Sequence, residues 1–225
     1  MGFWGRKTAS TSLIVYLWIS VIGVLTLFSC SEPIERLPYF NTPDFTPHFI
    51  QNENEVTEKI THTIDDFKFK NHLNQDVTHE NIKGKIHVAD FMFTSCGSIC
   101  PKMTNNMKLV SDAFLDDDEV MLLSYSVTPW SDSVKRLNEY VYDKKIKDPN
   151  WFFLTGSKSE IYDLARQSYF AEEDIGFTKD STEFLHTEHF ILVDENQRIR
   201  GIYNGTLLVD VKQLIADIHI LKKES

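Results

Sequence analysis

Past residue 60 the chain alternates two hydrophobic rhythms. Short apolar runs mark strands, and stretches with apolar positions every three or four residues mark amphipathic helices. Residues 62–69 alternate apolar and polar side chains and predict a strand. Residues 71–85 predict a short hairpin region with Gly84 as its turn. Residues 86–93 and 120–127 are apolar runs that predict two buried strands, the first of them central. Met103, Met107, Val110 and Phe114 fall at helical spacing and predict a helix over 101–114. A helix over 132–142, a strand over 151–154 and a helix over 158–168 follow. Residues 190–193 and 198–203 flank Asp194-Glu195-Asn196-Gln197 as a hairpin, and 209–221 reads as a closing amphipathic helix.

Strands alternating with helices imply an α/β fold: a central mixed sheet covered by helices on both faces, ending in a β-hairpin and a helix. The segment before it behaves differently. Residues 31–57 carry Pro33, Pro38, Pro43 and Pro47 with aromatics between them and show no period. They read as a tether that becomes a non-regular strap on the domain.

The N-terminus adds a third region. Arg6 and Lys7 are followed by an uncharged, mostly apolar stretch from Thr11 to Phe28, which is a positive n-region followed by an h-region. Leu27-Phe28-Ser29-Cys30 resembles a bacterial lipoprotein box, with Phe28 bulkier than the usual residue there. Cleavage before Cys30 and lipidation of Cys30 are expected; an uncleaved span is the alternative, since about eighteen residues just suffice to cross a bilayer. Both place the folded part outside the cytoplasm, on the periplasmic side. The expected organisation is a signal peptide or anchor over 1–29, a tether over 30–57 and one domain over 58–225. The formal net charge of −10, more negative still once Arg6 and Lys7 are removed, argues against nucleic acid as a partner.

Chemistry concentrates at Phe93-Thr94-Ser95-Cys96-Gly97-Ser98-Ile99-Cys100-Pro101. A buried strand runs into two cysteines, and Pro101 suits the first turn of a helix, where a missing N–H costs nothing. The positive end of the helix dipole favours thiolates there. Two close thiols can clamp a soft metal or cycle with a disulfide. Of the three cysteines in the chain, Cys30 is assigned to the lipid, leaving Cys96 and Cys100 as the pair. A cysteine pair at the first strand-to-helix turn of such a unit reads as thioredoxin-like, although three residues rather than two separate the thiols.

With that spacing, the stretch resembles the C-x-x-x-C-P motif of the Sco (SenC) family. Ser126-Val127-Thr128-Pro129-Trp130-Ser131-Asp132-Ser133 is similar to its Ser-Val-Asp-Pro-x-x-Asp-Thr segment. Trp151-Phe152-Phe153-Leu154-Thr155-Gly156 and His186-Thr187-Glu188-His189-Phe190-Ile191-Leu192-Val193-Asp194 resemble two further segments in the same order. The resemblance runs from about His62 to the C-terminus. It implies a thioredoxin-like fold, copper as the bound metal, and delivery of copper to the binuclear copper site of cytochrome c oxidase. It also implies that Cys96, Cys100 and His186 are the metal ligands. The partner implied is the oxidase subunit that carries the copper site, or another copper or thiol protein. Some relatives look more like thiol–disulfide reductases or redox sensors, in which Cys96 and Cys100 would be the catalytic redox pair. One departure stands out: Thr128 occupies the place of the family's aspartate before Pro129, while Asp132 is kept.

The donor types agree with copper. Thiolates select Cu(I), and imidazole accepts both copper oxidation states. A three-coordinate site leaves room for an incoming ligand, whereas a closed four-ligand zinc site resists exchange. No second cysteine or histidine–cysteine cluster is present to complete such a zinc site. A purely structural Cys96–Cys100 bridge would close too short a loop to stabilise much. A peroxidase-like enzyme is disfavoured because no proline lies shortly before Cys96. His189 is expected to flank the site, and His48, His62, His72, His79, His87 and His219 to be structural or solvated. Met103 and Met107 read as core, Asp116-Asp117-Asp118-Glu119 as a solvated loop, and Glu183 and Glu188 as candidates to orient the His186 ring.

Overall fold

In the computed structural model, which describes residues 36–171 and 187–224, the apolar runs become strands of one mixed sheet. In chain order the elements are β1 (Tyr39–Phe40), β2 (Pro47–His48), α1 (Glu53–Lys59), β3 (Lys68–Asn71), β4 (Asp76–Thr78), α2 (His79–Ile82) and β5 (Ile86–Met92). There follow α3 (Ile99–Ala113), β6 (Val120–Ser126), α4 (Val134–Asp143), β7 (Trp151–Thr155), α5 (Lys158–Asp163), β8 (His189–Val193), β9 (Ile199–Asn204) and α6 (Leu208–Glu224). The strand order is β2-β1-β9-β8-β5-β6-β7-β3-β4. β5, β6 and β7 are parallel, as short strands joined by helical crossovers must be. β8 lies antiparallel on the other side of β5, with Ala89 opposite Ile191.

β5 and β6 are buried at every position, because helices cover both faces of the sheet. On one face Val88 and Met92 pack with Met103, Met107 and Val110 of α3, Leu137 and Tyr140 of α4, and Leu214 and Ile218 of α6. Ala89, Phe91 and Tyr125 face the other way, onto Ile161 and Tyr162 of α5, Ile82 of α2 and Tyr169. The expected α/β architecture is therefore the one observed, and Met103 and Met107 are core residues.

Several boundaries differ from expectation for local reasons. The strand expected over 62–69 shrinks to β3. Ile64 and Phe67 are still buried, but Ile64 N–H is used by the carbonyl of Gln197 rather than by a ladder. The hairpin turn lies at residues 72–75, not at Gly84. The Asn71 side chain accepts from the N–H groups of Leu73 and Gln75, both at 2.9 Å, and Asn74 adopts φ 62°, a local side-chain turn of the kind Asn favours. Gly84, at φ 71°, ends α2 ahead of β5. The helix expected over 158–168 is α5 followed by a π-helical turn, Leu164–Ser168.

The strap carries more regular structure than its prolines suggest. β1 pairs with β2 and, at Phe40, with Ile199 of β9. Arg200, only 3% exposed, holds it in place. Its guanidinium donates to the carbonyls of Leu37 and Pro38, pairs with Asp194 and Glu224, and sits 3.9 Å from the centre of the Tyr39 ring. Among the described residues no helix is long and apolar enough to cross a membrane; Cys30 and the apolar stretch before it lie outside them.

Candidate metal centre

The parallel strands aim their C-terminal ends at one edge of the sheet. β5 stops at Met92, the Cys96 N–H returns to the carbonyl of Phe93 at 3.3 Å, and α3 begins at Ile99. Cys96 therefore lies in the turn itself, while Cys100 falls inside the first turn of α3. Both cysteines are free thiols, Cys96 half-buried and Cys100 buried. The backbone N–H of Cys100 reaches Cys96 Sγ at 3.4 Å, which seats that sulfur over the helix N-terminus.

This seat makes the two thiols unequal. Partial burial works against a charged Cys96. The Cys100 thiol and the backbone N–H groups of Cys100, Ser98 and Ile99 more than offset it, and the Cys96 pKa falls below the usual thiol range. Burial dominates at Cys100. With the neighbouring Cys96 and the carboxyl of Asp90 adding to it against one backbone hydrogen bond from Phe93, it pushes that thiol up to about 12. The dipole argument thus holds for Cys96 and is overridden by desolvation at Cys100.

Two buried carboxyls flank the pair. Asp90, on β5, is 3% exposed and accepts from Ser124 Oγ at 2.5 Å; Ser124 Oγ in turn accepts from Trp151 Nε1 at 2.9 Å. Burial pushes Asp90 up to about 7. Asp132, fully buried, accepts from Thr94 N–H and Oγ1, Ser126 Oγ and Thr128 Oγ1 at 2.6–3.1 Å. Neither role was read from the sequence; for Asp90 a signal was present, since Asp90, Ser124 and Ser126 do not belong by accident inside strands as apolar as β5 and β6.

Of the expected ligands, Cys96 and Cys100 are brought together. His186 lies outside the described residues, as does Glu183. Among the described residues no three histidine, cysteine or acidic side chains converge on a metal position. β8 nevertheless starts at the cysteine end of the sheet, because it runs antiparallel to β5. His189, its first residue, makes an edge contact with the Phe45 ring, 6.4 Å between centroids. Glu188 is engaged by Asn204 Nδ2 and Thr206 Oγ1, so it braces the turn after β9. Asp117 and Glu119 of the acidic run pair with Lys222 of α6 and tie that helix down.

A mixed sheet with two free, unequal thiols at the turn from its central parallel strand into a helix defines a thioredoxin-like dithiol protein. The chain belongs to the SCO1/SenC family, whose model matches residues 55–223. Among solved structures, BsSco, a member of the Sco family of cytochrome c oxidase assembly proteins in which a disulfide switch was identified, is 29% identical. That match covers 73% of this chain and 95% of BsSco with a TM-score of 0.61. A SCO1/SenC family lipoprotein from Bacillus anthracis is 27% identical, over 72% of this chain and 96% of its own, with a TM-score of 0.63. Copper-bound ScoI from Arabidopsis thaliana is 25% identical, over 72% of this chain and 98% of its own, with a TM-score of 0.55.

Proposed function

We propose that this chain is a membrane-anchored copper chaperone that binds copper through Cys96, Cys100 and His186 and delivers it to the binuclear copper site of cytochrome c oxidase. The observation that carries the reading is the free Cys96–Cys100 pair at the helix N-terminus, in a chain of the SCO1/SenC family with a copper-bound relative. Two thiolates suit Cu(I), and an imidazole completes a three-coordinate site. His186 precedes, by three residues, a strand that starts at the cysteine end of the sheet. Cys96 is the easier of the two thiols to ionise. Cys100 loses its proton as the metal arrives, so copper binding releases protons. Partial exposure of Cys96 leaves the cargo open to ligand exchange with a partner. The named lipoprotein relative supports a lipid on Cys30, which holds the domain at the membrane.

The test is copper titration of the reduced full-length chain in detergent. One tightly bound copper is expected in the wild type, with loss in Cys96→Ser, Cys100→Ser and His186→Ala. Tight stoichiometric binding by Cys96→Ser overturns the reading.

A second reading, an extracytoplasmic thiol–disulfide reductase, is favoured by the inequality of the thiols and by the disulfide switch of BsSco. Cys96 thiolate attacks a partner disulfide and displaces one partner thiolate. Cys100 then loses its proton and attacks the mixed disulfide, leaving the partner reduced and Cys96–Cys100 oxidised. This chemistry does not use His186, so His186→Ala separates the two readings.

A further inference from the structure

We propose that Asp132 is the positioning residue of the cysteine turn, acting through Thr94, and that Thr128 supplies it with a hydroxyl donor where the Sco pattern has a second carboxylate. This deepens the copper reading of the same site and rests on it.

The Asp132 carboxyl has no contact with solvent and four hydrogen bonds. Oδ2 accepts from Thr94 N–H at 3.1 Å, Ser126 Oγ at 2.7 Å and Thr128 Oγ1 at 3.0 Å; Oδ1 accepts from Thr94 Oγ1 at 2.6 Å. Two of the four donors belong to Thr94, two residues before Cys96. Arg136 Nε donates to the same Thr94 hydroxyl at 3.0 Å, so a cation is joined to the hub through that oxygen. Three segments meet here: the turn after β5, the loop after β6 and the first turn of α4. The loop is itself folded around Thr128, whose carbonyl accepts from Ser131 and Asp132 N–H at 2.8 Å each.

A buried carboxyl is costly unless hydrogen bonds compensate it. The apolar packing on both faces of the sheet does not need this one. What it does is fix the backbone of Thr94 against α4 from across the site, and with it the path of the chain into Cys96. Thr128 completes the hub. Its Oγ1 lies 3.0 Å from Asp132 Oδ2, so an aspartate at that position would set a second carboxyl, an acceptor, where the hub now has a donor. With threonine the hub works around a single carboxyl, and the fourth bond is a donor rather than a rival acceptor.

The experiment compares Asp132→Asn, Thr128→Val, Thr128→Ser and Thr128→Asp in the full-length chain in detergent. Asp217→Asn serves as control, because Asp217 is also buried and accepts from Tyr203 OH at 2.6 Å, but on α6. Three quantities are read below each variant's melting range. They are Cu(I) affinity by competition with a chromophoric chelator, the apo-protein dithiol–disulfide equilibrium against dithiothreitol, and amide hydrogen exchange at Thr94 and Cys96. Asp132→Asn is expected to weaken Cu(I) binding by about 10- to 100-fold, as loss of groups that orient metal ligands does. It is also expected to shift the thiol equilibrium and to speed exchange at Thr94. Thr128→Val and Thr128→Asp follow in the same direction, and Thr128→Ser recovers most of what Thr128→Val loses. Asp217→Asn lowers the melting temperature and leaves the other readouts at wild-type values. An Asp132→Asn protein that differs from wild type only in melting temperature, as the control does, overturns the proposal. Should Asp132→Asn not fold, Thr128→Val carries the test, and wild-type affinity with wild-type exchange in it overturns the proposal equally. If the wild type binds no copper while Asp132→Asn still shifts the thiol equilibrium, the copper reading fails and the positioning role stands.

Discussion

Replacing Asp90 by asparagine should make the protein's stability depend on pH in a way that the wild type conceals. Asp90 lies inside a strand with no exposed position and has one hydrogen-bond donor, Ser124. Burial raises it from the ordinary 3.8 to about 7. A carboxyl with a folded pKa above its unfolded value binds more protons when folded, so stability falls as pH rises from about 4 to about 7. At about 1.4 kcal/mol for each tenfold change in protonation equilibrium, the full loss is at most about 4 kcal/mol. His87, three positions earlier on β5 and facing the opposite side of the sheet, where it meets Tyr169 OH, is pushed by burial, with a smaller push from His79, from 6.5 down to about 3, and acts in the opposite sense. It binds fewer protons when folded, so stability rises with pH from about 3 to about 6.5, by at most about 5 kcal/mol on the same conversion. Between pH 4 and 6.5 the two slopes nearly cancel in the wild type.

Asp90→Asn keeps the shape and an acceptor for Ser124 and removes one slope. Urea unfolding of the reduced apo chain, measured every half unit from pH 4 to 8, reads the outcome. The stability of the variant relative to wild type should grow by up to about 4 kcal/mol across that range. In absolute terms the variant should gain stability up to about pH 6.5 and then level off. A difference between variant and wild type that stays constant with pH would refute the reasoning, since it would mean that Asp90 titrates alike in the folded and unfolded states. The same variant should lower the Cys100 pKa, because the charge of Asp90 is among the causes that raise it after burial itself.

Further outcomes follow from the same contacts. Iodoacetamide at neutral pH should label Cys96 well before Cys100, as mass spectrometry of the digested protein will show; equal labelling contradicts the inequality of the thiols. Arg200→Met should cost about 3–5 kcal/mol, because it strands Asp194 and Glu224 without their cation. Limited proteolysis should then cut first within the strap around Leu37, Pro38 and Tyr39. Met107→Ala, at a site fully shielded from solvent, should cost about 2–5 kcal/mol in urea unfolding and leave the stoichiometry of copper binding unchanged. Mass spectrometry of the mature chain should show lipid on Cys30, whereas an intact Met1 terminus supports the uncleaved span and leaves the copper reading in place.

What the sequence made legible was whatever leaves a period or a fixed spacing. The runs that became β5 and β6 were readable because both faces of the sheet are covered, and the cysteine pair was readable because its spacing is local. The hub at Asp132 was not, since it joins Thr94 to a residue 38 positions away, and nothing in one-dimensional spacing marks that approach. Asp90 was passed over because a single acid in an apolar run does not change the strand it sits in. The hairpin was misplaced for a different reason: Gly84 is the obvious turn former, but the side chain of Asn71 builds the turn from hydrogen bonds that composition does not reveal. The strap's short strands depend on β9 and Arg200, which come some 160 residues later.

The inequality of the thiols links copper handling and disulfide chemistry in one turn. The Cys100 thiol and the backbone N–H groups at the start of α3 outweigh partial burial and hold the Cys96 pKa below the usual thiol range without any metal, and Cys96 is the more exposed of the two, so it is the sulfur that meets a partner first, whether that partner brings copper or a disulfide. Cys100, buried and held protonated, joins only when something in front of it compensates the charge it must take on. A soft cation does so directly. A mixed disulfide on Cys96 does so by removing the neighbouring thiolate and offering a sulfur to attack. The buried partner therefore acts as a gate on the second step of either reaction. On the proposed ligand set, copper binding and disulfide formation draw on the same two sulfurs and exclude each other. On this basis, Cu(I) loaded before exposure to an oxidant should protect the Cys96–Cys100 pair, and prior oxidation should block loading. His186→Ala should weaken the protection while leaving formation of the disulfide itself intact. Rapid oxidation of the thiols in the fully copper-loaded wild type would show that the two chemistries do not share this gate.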